Sequence, residues 1–134
     1  MTTIELPLDP LAVSIGFGGR NGPAPLGRHT PLFLDFNQLT RELLRQTDPD
    51  QVVSWLFCTA YDAHDVAHIL TGCGFRGRYR AIAPALPNKA AVAREIRRAF
   101  PGLNFDIYCP ANLSREVADY HESMAAPGLG IALA

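Results

Sequence analysis

The chain has 134 residues, 48% of them hydrophobic and 19% charged. That length suits one domain with a buried core, and that balance excludes an intrinsically disordered chain. The net charge of −1 gives no general attraction to nucleic acid or to an anionic membrane, so neither is an expected partner.

Leu11–Phe17 reads as a first strand. The stretch Gly16-Phe-Gly-Gly-Arg-Asn-Gly-Pro-Ala-Pro-Leu-Gly27 follows it. So much Gly and Pro excludes a helix there. Pro31–Phe36 reads as a second strand. With no crossover helix between them, the two strands are expected to pair antiparallel, or the first to lie at an edge. Asn37 is placed to cap a helix whose Leu39, Leu43 and Leu44 form one stripe, ended by Asp48-Pro49-Asp50. Val52–Cys58 is an apolar run of the buried parallel type.

Asp62 or Asp65 caps the next helix, with Val66, Ile69 and Leu70 inward and Gly72 or Gly74 at its end. Tyr79–Ala83 is a short strand. Asn88 caps a helix with Val92, Ile96, Ala99 and Phe100 on one face, ended by Pro101-Gly102. Leu103–Tyr108 is a further strand. Asn112 or Ser114 opens a last helix carrying Leu113, Val117, Tyr120 and Met124. Pro127 ends it and leaves the apolar tail Leu129–Ala134. Strands alternating with helices predict a single α/β domain, three-layered, with a mostly parallel five-stranded sheet and helices on both faces.

Three cysteines, Cys58, Cys73 and Cys109, stand far apart with no CxxC pair, so a zinc ribbon or redox motif is not expected. Free thiols fit a reducing, cytoplasmic setting. The start shows no basic region before an apolar core, so no signal peptide is expected. No apolar run nears the roughly 20 residues of a membrane helix.

Three strand ends carry a pattern. Asp35 closes Leu34-Asp35-Phe36, Thr59 follows the Val52–Cys58 run, and Ala83 precedes Pro84; each step is 24 residues. Over about Leu32–Phe100 this resembles a response-regulator receiver domain, in a degenerate form. The resemblance implies a flavodoxin-like fold and a role in signal transduction. It matches Asp35 to the phospho-acceptor and Thr59 to the partner hydroxyl. Ala83 stands where the family has Lys, and Gly16-Phe17-Gly18 where an acidic pair would hold magnesium. The site is therefore vestigial. Phosphoaspartate chemistry needs cations that these residues do not supply.

Other groups invite chemistry. Gly16, Gly18, Gly19 and Gly22 follow a strand, and with Arg20, Arg28 and His29 they are candidates for cradling a phosphate. No helix starts after them and no Gly-Lys-Ser/Thr ends them, so a mobile surface loop is the plainer expectation. His64 and His68 share a helix face, the spacing of two zinc ligands, but a third ligand is not evident. Cys58 has no base placed beside it by the sequence. Arg76, Arg78 and Arg80 alternate, with Arg94, Arg97 and Arg98 on the next helix. They read as a basic patch or a solvated rim, at the strand's exposed entrance or on an edge strand.

The leading expectation is thus a non-catalytic, receiver-like protein-interaction domain with no cofactor and an unidentified protein partner. The alternative is a small α/β enzyme or a binder of a phosphate-containing ligand (nucleotide or flavin) using the Gly16–Gly22 loop. A homodimer through the last helix and tail is also expected, with a folded-back edge strand as its rival.

Overall fold

The computed structural model describes residues 9–110. The elements in chain order are β1 (Leu11–Gly16), β2 (Thr30–Asp35), α1 (Arg41–Thr47), β3 (Gln51–Trp55), α2 (Ala63–Gly72), β4 (Arg78–Ile82), α3 (Lys89–Ala99) and β5 (Asn104–Tyr108). The five strands form one sheet in the order β2-β1-β3-β4-β5. Every pairing is parallel. This is an α/β flavodoxin-like sheet, as the strand–helix alternation predicts.

The first two strands correct the expectation. They pair parallel, from Leu11↔Thr30 to Gly16↔Asp35, and the edge position belongs to β2. The reason lies in the segment 17–29, which acts as a crossover without a helix. It runs back over the sheet, so β2 can start beside the start of β1, where Thr30 N–H donates to the Pro10 carbonyl at 2.9 Å.

Register sorts the side chains into two faces. Val13, Ile15, Leu34, Val52, Tyr79, Ala81, Phe105 and Ile107 share one face and form a single core with Leu44 of α1, Val66 and Leu70 of α2, and Val92 and Ile96 of α3. Each large apolar side chain buried there contributes about 1.5–3 kcal/mol. The opposite face of β1 and β3 is covered by the 17–29 loop. Buried Ser14 donates from Oγ to the Pro23 carbonyl at 2.6 Å. The buried Gln51 amide exchanges two hydrogen bonds with the Leu26 backbone, at 2.9 and 3.0 Å. A Cβ at Gly22 would meet Ser14 Oγ at 2.6 Å. Only glycine lets the loop lie this close to β1.

Local chemistry sets the helix ends. Asn37 does not cap a helix. A 3-10 turn over Phe36–Gln38 intervenes, held by Gln38 Oε1 accepting from Asp35 N–H at 2.8 Å. Thr40 then caps α1, its Oγ1 accepting from Leu43 N–H at 3.1 Å. Asp62 and Asp65 cap α2 together: each carboxylate accepts the other's N–H, at 2.9 and 3.0 Å. At the β5 edge, Arg97 of α3 donates from Nε to the Phe105 carbonyl at 2.9 Å and pairs with Asp106 at 3.0 Å. A charged side chain on an outer-strand carbonyl blunts that edge. No described helix is long and apolar enough to cross a membrane. The expected last helix and the 129–134 tail lie outside the described residues.

Candidate functional site

Open parallel sheets place sites at the carboxyl ends of the strands, where the strand order reverses. Here that point falls between β1 and β3. The β1–β3 ladder ends at Ile15↔Ser54. Beyond it, the Tyr61 hydroxyl inserts between the strands. It donates to the Ile15 carbonyl at 2.6 Å and accepts from Trp55 N–H at 3.1 Å. Tyr61 is 3% exposed, and burial pushes its phenol well above the ordinary range. Its ring stacks on Phe36, centroids 5.2 Å apart. A chain-derived aromatic plug thus fills the crevice.

What remains open is a cleft of about 170 Å³ lined by Phe17, Gly18, Asp35, Phe36, Asn37 and Ala60. Small-molecule pockets usually span roughly 300–1,000 Å³. The space admits a few atoms beside one carboxylate and two aromatic rings.

The Gly-rich segment enters this cleft as a turn. Phe17 and Arg20 exchange backbone hydrogen bonds at 3.0 and 2.8 Å. Gly18 and Gly19 hold φ values of 56° and 79°. Two successive left-handed residues are what a two-residue I′ turn requires, so these glycines are explained by turn geometry. Gly19 N–H points to the Asp35 carboxylate at a long 3.4 Å. The donor that a phosphate would need is already turned toward the protein's own anion.

The predicted site residues do not all converge. Gly16, Gly18, Gly19 and Arg20 lie at the carboxyl end of β1, whereas Arg28 lies just before β2, at the amino end. A six-residue strand separates them by about 20 Å. His29 sits beside Arg28, its Nδ1 2.9 Å from the Leu26 carbonyl and its Nε2 3.1 Å from the Asp50 carboxylate. Asp35 ends edge strand β2, and Thr59 is exposed in the turn after β3. With β1 between them, the two strands are about 10 Å apart. Ala83 is fully buried, its N–H donating to the Tyr108 carbonyl at 3.1 Å.

His64 packs edge-on against Phe100, centroids 5.0 Å apart, while His68 is exposed. Among the described residues no three His, Cys, Asp or Glu side chains gather for a metal. Cys58 is buried, and burial raises its thiol, outweighing the Ala60 and Tyr61 backbone N–H groups that favour the thiolate. A thiol so held is a poor nucleophile. Of the six arginines, Arg78 and Arg97 lie close enough for their charges to act on Arg80, whose guanidinium burial foremost and these like charges hold below the usual range. Arg76 lies in the turn before β4. Arg80 is tied to Asn104, and Arg97 to Asp106. β4 is an interior strand, so its arginines are not explained by an edge position.

The residue that sequence reasoning passed over is Tyr61. Its signal is an aromatic one position before the α2 cap, in the turn leaving the central strand. Comparisons with family models, curated proteins and solved structures gave no match for this chain. The flavodoxin-like α/β class rests on the parallel pairing and the sheet order.

Proposed function

We propose that this chain is a non-catalytic α/β domain of receiver-like shape that acts in signalling through protein–protein contact. The observation that carries this reading is the Tyr61 plug. Three further features support it. The free cleft is small. The Gly19 N–H of the turn faces the Asp35 carboxylate. Ala83 offers no cation to a phosphoryl group at Asp35. Self-association as a homodimer through residues 113–133 belongs to the same proposal and rests on their apolar pattern alone.

The test is chemical. The protein is incubated with magnesium and acetyl phosphate and weighed intact, and its melting temperature is measured with flavins and nucleotides. The expected outcome is no phosphoryl adduct and no stabilisation that depends on Asp35. An adduct, or a ligand shift, that disappears in Asp35→Asn overturns the reading.

A further inference from the structure

A larger cleft, of about 330 Å³, opens at the opposite end of the sheet. It lies between the carboxyl end of α1 and the turn from α2 into β4. Its volume reaches the lower range of small-molecule sites, and no residue of the Asp35 cleft lines it.

Its walls are built rather than incidental. Asp48 ends α1 with φ 44° and Pro49 follows. Across the gap, Gly74 turns with φ 72°, and Phe75 N–H donates back to the Leu70 carbonyl at 3.0 Å. A Cβ at Gly77 would meet the Asp50 carbonyl oxygen at 2.5 Å and Phe75 Cζ at 2.6 Å. The glycine lets the turn sit against β3 and keeps the Phe75 ring in place. Leu44, Pro49 and the Phe75 ring are the larger apolar residues of its lining.

Three arginines line the same space, against one acidic residue, Asp48. Two are occupied. Arg41 donates from Nη2 to the Gly72 carbonyl at 2.9 Å, which offsets the negative end of α2. Arg45 donates to Glu42. Arg76 makes no hydrogen bond or ion pair with another described residue. It is exposed, at the rim. A planar guanidinium beside an apolar surface suits an oxyanion carried on a ring-sized body.

We propose that this cleft binds a small organic oxyanion, a carboxylate or phosphate head on a ring-sized apolar body. Arg76 takes the head, with Arg45 beside it, and the Phe75 wall takes the body. The inference stands apart from the signalling reading, because the two clefts share no residue.

The test uses the full chain and four probes: phenyl phosphate, benzoate, inorganic phosphate and benzyl alcohol. Calorimetric titration gives affinity, and alkylation of Cys73 reports location, since Cys73 lines the cleft and Cys109 does not. Phenyl phosphate or benzoate is expected to bind at least about tenfold more tightly than inorganic phosphate or benzyl alcohol, a gap of about 1.4 kcal/mol. The tighter of the two identifies the head group. The bound probe is expected to slow alkylation of Cys73 and not of Cys109. Arg76→Gln removes no described contact, so it should fold and weaken binding about tenfold or more. The proposal is overturned if neither aromatic anion binds, if Arg76→Gln binds equally well, or if Cys73 reacts at an unchanged rate.

Discussion

The Tyr61 hydroxyl donates to the Ile15 carbonyl at 2.6 Å, from a turn 46 residues further along the chain. It completes a rung between β1 and β3 at the place where parallel sheets commonly admit a ligand. Tyr61→Phe removes the hydroxyl that donates to the buried Ile15 carbonyl and accepts from the half-buried Trp55 N–H. Such a loss costs roughly 1–3 kcal/mol. Urea denaturation should therefore show Tyr61→Phe about 2 kcal/mol less stable. A loss below about 0.5 kcal/mol would mean that the strands close and form the rung themselves.

Two neighbouring glycines should respond differently to alanine. A Cβ at Gly16 would collide with the Arg20 backbone, and neither side can move without breaking the Phe17–Arg20 turn. Gly18 has open space around its Cβ position but a φ of 56°. Gly18→Ala is expected to cost about 1–2 kcal/mol, the left-handed penalty alone. Gly16→Ala is expected to cost at least about 3 kcal/mol, or to prevent folding. Equal melting temperatures for the two variants would refute this ordering.

Asp62 gives a pH prediction. Burial, foremost, holds its carboxyl above its usual value near 3.8, and the nearby Asp65 charge adds to the rise. A carboxyl with a raised folded value binds its proton more readily in the folded state. Its charge thus subtracts from stability at pH 7, and that loss fades as pH falls through the raised value. Asn keeps the capping oxygen without the charge. Asp62→Asn should raise the urea midpoint at pH 7, with the gain vanishing toward acid pH. Asp62→Ala should instead lose about 1 kcal/mol of capping at pH 7. An Asn variant that is destabilised equally at both pH values contradicts the charge account.

Self-association is checked by truncation. Removing the chain after Pro127 deletes Leu129, Ile131 and Leu133. Light scattering should show a dimeric parent and a monomeric truncate. A parent that stays monomeric at high concentration refutes the dimer, and a truncate that stays dimeric moves the interface elsewhere.

Local pattern carried much of the fold. The apolar run from Val52 and the spacing of Val92 and Ile96 identified a buried strand and a one-sided helix without reference to anything distant. The α2 cap was legible too, because Asp62 and Asp65 bond within one turn. The start of α1 is not legible at Asn37, since a 3-10 turn and Thr40 offer a rival local solution. Sheet order was not legible. Sequence spacing sets Asp35 and Thr59 at a receiver-like interval, yet β1 lies between their strands. Spacing along a chain does not record which strands become neighbours.

The sequence by itself determined the α/β class, the strand and helix faces and the α2 cap, because propensity, periodicity and capping act within a few residues; Asn88 begins α3 without a side-chain cap bond. Only the tertiary structure decided that β1 lies inside the sheet and that Gly18 and Arg28 stand at opposite ends of it. It alone placed Tyr61 in the crevice and Arg76 in the cleft beyond. Those outcomes depend on hydrogen bonds and packing between segments tens of residues apart, such as Tyr61 on Ile15 and Gln51 on Leu26. Their free energy exists only once the strands have assembled.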